Sequence, residues 1–161
     1  MDPLNLVRQC YERLPGYMKA KPWDYTEHGK KVLQTENELN AYIAAYGEMH
    51  IVKCRAALQN FPFDNLNMYS YEIFDWGCGQ GLATLFLLDY IRQNDLRCSI
   101  NEVVLIEPSV VALKRAQFLI GLADNNIRIR CINKLIDDVS ANDVKFTGNF
   151  PVYQMFSNIL D

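Results

Sequence analysis

The sequence has few of the residues on which metal sites and disulfide frameworks depend. It contains only two histidines, His28 and His50, and five cysteines with no Cys-x-x-Cys pair among them. Zinc sites need histidine and cysteine ligands at short spacing, and small secreted domains usually carry an even set of cysteines. We therefore expect no metal site, reduced thiols and a cytoplasmic location. Two scattered histidines also support no Ser-His-Asp or Cys-His catalytic arrangement.

Long apolar runs and an excess of one charge are missing as well. The longest apolar stretch, Leu82 to Leu88 with Thr84 inside it, is far shorter than the roughly 20 residues that cross a bilayer. The start, Met1-Asp2-Pro3-Leu4, lacks the basic and apolar regions of a signal peptide. Sixteen basic and nineteen acidic residues leave a net charge of −3, which predicts no general affinity for polyanions.

Apolar residues, in contrast, are plentiful. Half of the 161 residues are hydrophobic, with only eight glycines and six prolines, which excludes a disordered or collagen-like chain. A chain of this length can bury about two-thirds of its unfolded surface. We expect a soluble protein with a real core.

Residues 1–66 have the pattern of helices and irregular segments, without a convincing strand. We predict a short helix over Leu4–Leu14, stopped by Pro15-Gly16, and then an ordered loop over Lys19–His28. Thr35-Glu36-Asn37-Glu38 has the form of a capping box. Apolar residues at steps of three and four then predict a long amphipathic helix to about Gln59.

From residue 67 onward, strand-like and helix-like segments alternate. The predicted strands cover Tyr71–Asp75, Glu102–Ile106, Ile127–Ile132 and Val152–Phe156, and the predicted helices cover Gln80–Arg92, Pro108–Leu122 and Leu135–Ser140. The second strand is almost entirely apolar, as in a parallel sheet that is buried on both faces. The third alternates isoleucine and arginine, which suits a strand near the sheet edge. Such alternation with short connections predicts parallel strands and right-handed crossovers.

The most informative stretch is Asp75-Trp76-Gly77-Cys78-Gly79-Gln80-Gly81, between a predicted strand and a helix. Glycine permits positive φ and lacks the Cβ that would block a ligand. The start of a helix offers unpaired N–H groups and a positive dipole end. We therefore expect a nucleotide-like ligand across the strand ends. A P-loop is excluded because Leu82-Ala83 follows Gly81, and the dinucleotide pattern counted from Gly77 meets Leu82 at its sixth position.

This Gly-x-Gly-x-Gly form, with an acid on the preceding strand, resembles the first motif of class I S-adenosylmethionine-dependent methyltransferases. The resemblance implies that the glycine turn packs against the methionine part of the cofactor and that Asp75 is a supporting carboxylate. It also implies that Glu107, after the next strand, binds both ribose hydroxyls, which suits an acceptor-only carboxylate. The candidate cofactor-binding residues are Asp75, Gly77, Cys78, Gly79, Gly81, Glu107 and Pro108. Candidates for contact with adenine, none singled out by a motif, are Asn133, Lys134, Asp137 and Asp138.

Each of these features also has a simpler interpretation. The turn can be a tight strand-to-helix connection without a ligand, and Glu107 can be an acid favoured by a helix dipole. Asp75 can cap the same turn. For Cys78 we favour a small residue tolerated in a tight turn over a reactive thiol at a helix start. Trp76 is interpreted as packing.

The long predicted helix raises a similar choice. His50 shares one face with Tyr42, Tyr46 and Lys53, at steps of three and four residues. We favour a stripe that packs on the sheet over a lid or an acceptor-site face.

The resemblance covers roughly residues 69–158 and implies a sheet order of 3-2-1-4-5-7-6, of which this sequence supplies the first four strands. An exposed fourth strand would invite pairing. We expect a piece of a longer protein, with reliance on a partner chain as the alternative. After the fourth strand, Asn158 is followed by Ile159-Leu160. The two prolines and the aromatic residue of amino-methylating nucleic-acid enzymes are missing, so that activity is not transferred.

We therefore predict an α/β fold, a doubly wound and mostly parallel Rossmann-like sheet with an N-terminal helical extension. The extension covers residues 1–66, and an S-adenosylmethionine-binding domain, incomplete at its C-terminus, covers residues 67–161. The expected function is methyl transfer from S-adenosylmethionine or the cofactor-binding part of that activity, with the fragment alone inactive. The acceptor and the catalytic residues are not identified. The alternatives are a non-catalytic nucleotide- or cofactor-binding scaffold module and an NAD-binding domain.

Overall fold

The computed structural model of the chain describes residues 3–60, 69–146 and 148–157. The helices are α1 (Pro3–Arg13), α2 (Gly16–Lys19), α3 (Glu36–Gln59), α4 (Leu82–Gln93) and α5 (Val110–Ala123), and the strands are β1 (Ser70–Trp76), β2 (Ser99–Ile106), β3 (Arg128–Ile132) and β4 (Val152–Phe156). Short 3₁₀ segments cover Pro22–Gly29 and Ile136–Asp138. The predicted α/β fold with its helical N-terminal part is confirmed. The predicted boundary between residues 66 and 67 lies outside the described residues.

The four strands form one sheet in the order β3-β2-β1-β4, and every strand pair is parallel. The register places Trp76, the last residue of β1, beside Ile106 of β2 and Phe156 of β4. The segments that follow these strands therefore leave the sheet at the same end, the carboxyl ends of the strands. Because β2 and β3 lie on one side of β1 and β4 lies on the other, the order of the strands reverses at β1. Ligands bind at such reversal points in open α/β sheets.

One face of the sheet carries the main apolar core. Its central side chains are Ile73 of β1 with Val103 and Leu105 of β2, which have no exposed surface. The helices supply most of the rest of this core, with Leu6, Cys10, Ile43, Leu85, Leu87, Leu113, Leu119 and Ile120 among its members. The N-terminal helices thus pack on the same core as α4 and α5. The division into two domains stays a prediction.

Local signals account for the start of α3 but not for the segment before it. Thr35 Oγ1 accepts from the backbone N–H of Glu38 at 3.2 Å, and Glu38 Oε2 accepts from that of Thr35 at 3.1 Å, so the predicted capping box is confirmed. After Pro15, one further helical turn forms over Gly16–Lys19, which the prediction of a stop missed. Part of the predicted loop forms 3₁₀ turns too, over Pro22–Gly29, interrupted by left-handed backbone at Glu27 and His28. No helix in the described part of the chain is long and apolar enough to cross a membrane.

Candidate functional site

The turn between β1 and α4 is built from glycines in left-handed conformations. Gly77, Gly79 and Gly81 have φ angles of 61°, 53° and 75°, which a residue with a Cβ adopts only at a cost. Hydrogen bonds fix the turn: the N–H of Gly81 donates to the carbonyl of Cys78 at 2.8 Å, and the N–H of Cys78 donates to that of Ile106 at 3.0 Å. The turn is therefore tied to the end of β2 while it leads into α4.

Two of these glycines have different surroundings. A Cβ at Gly79 would meet no atom within 4 Å, whereas a Cβ at Gly81 would lie 3.0 Å from Ala116 Cβ and 3.2 Å from Ile120 Cδ1. Gly81 is therefore needed for the close approach of α5 to the turn. Gly79 instead leaves open space in which another group can approach the backbone.

Glu107, the first residue after β2, lies against the turn. Its Oε2 accepts from the N–H of Gly79 at 3.0 Å, and its Oε1 accepts from the N–H of Ser109 at 2.9 Å. The side chain is buried, and desolvation raises the pKa of the Glu107 carboxyl, although these two amide bonds oppose the shift. Each carboxylate oxygen has a further lone pair. The structure thus brings together the acid and the glycine turn, which sequence reasoning had to assume.

Asn133 joins this arrangement from the end of β3. Its Nδ2 donates to the carbonyls of Glu107 at 2.9 Å and Pro108 at 2.7 Å. The segment after β2 is therefore held from both sides, by Asn133 and by the glycine turn. Of the four candidates for adenine contact, Asn133 lies at the site.

The other three candidates lie away from Glu107 or make other contacts. Lys134 Nζ forms an ion pair with both carboxylate oxygens of Asp143 at 2.8 Å. Asp137 and Asp138 are exposed on the second 3₁₀ segment. No described contact joins these side chains to the turn, and their role in binding stays a prediction.

Asp75 faces the protein interior. Its carboxylate has no exposed surface, and Oδ2 accepts from Thr84 Oγ1 of α4 at 2.7 Å. Desolvation raises the pKa of Asp75 to about 7, against the hydrogen bonds from Thr84 and with a further increase from the charge of Glu107. Asp75 therefore fastens the end of β1 to α4 beneath the turn and does not line its open side.

Cys78 is also directed into the core. The side chain is buried, and desolvation together with the nearby carboxylates raises the pKa of the thiol well above its usual value. Since the thiolate is the reactive form, Cys78 is not activated.

Among the described residues no three potential metal ligands come together.

The N-terminal part fastens to the glycine turn through contacts that sequence reasoning missed. Gln80 Nε2 donates to the carbonyl of Leu39 at 3.0 Å, and Ser109 Oγ donates to the carbonyl of Leu33. Arg115 Nη1 donates to Gln80 Oε1 at 3.0 Å and to Asn40 Oδ1 at 2.9 Å. These partners are distant in the sequence, so no local pattern indicates them. Together they fix the start of α3 beside the turn.

One face of α3 is thereby brought to the site. Tyr42 and the buried His50 line a small pocket of about 60 Å³ whose other wall includes Gly77 and Gly79. Tyr42 Oη lies 3.2 Å from His50 Nε2, and the two rings stack with centroids 5.7 Å apart. Two of the four residues of the predicted stripe, Tyr42 and His50, therefore lie beside the turn, and the choice between packing and an acceptor-site face stays open.

A wider cleft of about 340 Å³ adjoins this pocket and runs between α3 and β4. The two share Cys54, Ala83 and Ser157. A cavity of about 430 Å³ lies elsewhere, along α4 and between the start of β2 and the end of α5. Volume alone would favour that cavity. The glycine turn is the stronger candidate site because open backbone and a carboxylate converge there, at the carboxyl ends of the strands.

The sequence matches no protein-family model and no curated protein. The interpretation of the site therefore depends on its geometry.

Proposed function

We propose that the chain binds S-adenosylmethionine and forms the donor-binding part of a methyltransferase. The observation that carries the proposal is the 3.0 Å contact between Glu107 Oε2 and the N–H of Gly79. It joins the acid after β2 to the glycine turn after β1, the two features on which the resemblance to class I methyltransferases depends.

The residues around the turn suit such a cofactor in their chemistry. The open space at Gly79 allows a ligand to approach the backbone closely. Glu107 would accept from two adjacent ribose hydroxyls with its remaining lone pairs. Asn133 fixes the backbone on which that carboxylate sits. The glycine turn would hold the methionine part, and Glu107 the ribose.

Charge is the second contribution of the chain. The cofactor supplies a methyl group on a positively charged sulfur, which leaves as a neutral thioether when an acceptor takes the methyl group. Glu107 and Asp75 place two carboxyl groups beside the turn, and burial strengthens their field. A bound cation would favour the ionised form of both groups. The main contribution of the protein is to hold the cofactor and the acceptor close together, which is how proximity accelerates a reaction.

Calorimetric titration tests the proposal. We expect the chain to bind S-adenosylmethionine and S-adenosylhomocysteine, and Glu107→Gln to weaken both by about tenfold or more, since an amide replaces an acceptor-only group that makes charge-assisted bonds. Glu12→Gln is the matched control, because Glu12 is exposed on α1 and pairs only with Arg8 among the contacts described. Binding of NAD alone, or equal affinity in the Glu107 variant and the wild type, would contradict the proposal.

A further inference from the structure

The face of α3 beside the glycine turn carries an inference that rests on the proposed function. We propose that Tyr42 and His50 form the acceptor side of the donor site and take up the proton that an O–H or N–H acceptor loses. Tyr42 would contact the acceptor. His50 would act through Tyr42.

The position of Tyr42 and His50 supports this role. Tyr42 and His50 share a pocket with Gly77 and Gly79, so a group held on the turn has these two side chains as neighbours. That pocket opens through Cys54 and its neighbours into the cleft beside β4. An acceptor that enters along this cleft reaches the turn next to Tyr42.

The chemistry of the pair also suits the uptake of a proton. A hydroxyl or amine loses a proton when it is methylated, and a nearby side chain that takes this proton assists the reaction. In the tautomer of His50 that carries its proton on Nδ1, Nε2 accepts from Tyr42 Oη, 3.2 Å away. The acceptor's proton then passes to Tyr42 Oη while the phenol's own proton passes to His50 Nε2. Tyr42 stays neutral, and the imidazolium of His50 returns its proton to water after the product leaves. Histidine is the side chain best suited to such a reversible change near neutral pH.

Surrounding residues hold the pair in place. Tyr46 packs on Tyr42 with ring centroids 5.2 Å apart. A Cβ at Gly29 would lie 3.7 Å from the Tyr42 ring and 3.9 Å from the Tyr46 ring, so the first 3₁₀ segment supports both rings. In that segment Glu27, His28 and Gly29 have φ angles of 48°, 55° and 89°. Glu27 and His28 adopt this left-handed backbone at a cost, and such strain persists only where its surroundings fix it and clusters at functional sites.

The test uses two ligands that need no acceptor. Sinefungin carries an ammonium group where the methyl group would be transferred, and S-adenosylhomocysteine carries nothing there. We expect the wild-type chain to bind sinefungin more tightly, because Tyr42 Oη accepts a bond from the ammonium group. In Tyr42→Phe this preference should fall by about tenfold, while the affinity for S-adenosylhomocysteine stays within about twofold of wild type. His50→Gln should lower the preference in the same direction.

The matched control is Tyr46→Phe, which removes a hydroxyl from the same cluster but not from the pocket wall, and should leave the preference unchanged. Since His50 is buried, thermal unfolding of each variant is measured alongside, and Tyr42→Phe, which keeps its ring, decides the question. A wild-type chain without the preference, or an equal preference in Tyr42→Phe, would overturn the inference and leave the proposed function intact. A wild-type chain that binds none of the ligands would remove both.

Discussion

Replacing Gly81 with alanine should destabilise the fold more than the same change at Gly79. Both positions have positive φ, at 75° and 53°, so both variants carry the left-handed cost of about 1–2 kcal/mol. Both also gain similarly from a stiffer unfolded chain. These contributions nearly cancel when the two variants are compared. The difference between their free energies of unfolding therefore comes from packing.

The packing contribution can be worked out from the neighbours of each site. At Gly81 the new methyl group would lie 3.0 Å from Ala116 Cβ and 3.3 Å from Ala116 Cα, which belongs to the backbone of α5 and cannot rotate away. Overpacking of this kind costs about 1–3 kcal/mol. At Gly79 no atom lies within 4 Å. We therefore expect the free energies of unfolding of the two variants to differ by about 1–3 kcal/mol.

Urea unfolding monitored by tryptophan fluorescence measures this difference. With m near 2 kcal/mol/M, the midpoints of the two variants should lie about 0.5–1.5 M apart. The cost of Gly81→Ala should also be smaller in an Ala116→Gly background, since the two methyl groups then no longer meet. Equal midpoints for Gly79→Ala and Gly81→Ala would refute the packing argument. On the proposed function, Gly79→Ala should fold yet bind S-adenosylhomocysteine weakly.

Two further predictions concern Asp75 and Thr35. Because the pKa of Asp75 is raised to about 7, the folded protein keeps a proton there that the unfolded chain releases near pH 4. The free energy of unfolding should therefore fall by up to about 4 kcal/mol between pH 4 and 7. In Asp75→Asn this part of the pH dependence should be lost. Denaturation of both proteins at several pH values measures it, and the same pH dependence in the variant and the wild type would contradict the prediction. Thr35→Ala should cost about 1 kcal/mol by removing the cap of α3, with Thr35→Ser near wild type in thermal unfolding.

Much of the secondary structure follows from short stretches of sequence. The capping box at Thr35 and Glu38 marks the start of α3 because both partners lie within one turn. The fourth strand was predicted over Val152–Phe156 and has those bounds. The glycine spacing likewise predicts a turn between β1 and α4, since the conformational freedom of glycine is a property of the residue itself.

Contacts between distant residues were less predictable. The alternating arginines of β3 indicated an edge strand, but not why arginines are useful there. The register pairs Arg128 with Glu102, and Arg128 Nε lies 2.8 Å from the buried carboxylate of Glu102. Only strand pairing decides which charge meets a buried acid, and pairing depends on the whole sheet.

The sequence alone determined the long helices, the strands and the glycine turn, because helix caps, apolar periodicity and left-handed turns are encoded over a few neighbouring residues. It did not indicate the short helical segments over Gly16–Lys19 and Pro22–Gly29. Tertiary structure decided that Glu107 accepts from the N–H of Gly79, that α5 packs closely against Gly81, and that Tyr42 and His50 lie beside the glycine turn. Those contacts depend on strand order and on how α3 docks against the sheet. They are settled by burial across the whole chain, which no short stretch of sequence encodes.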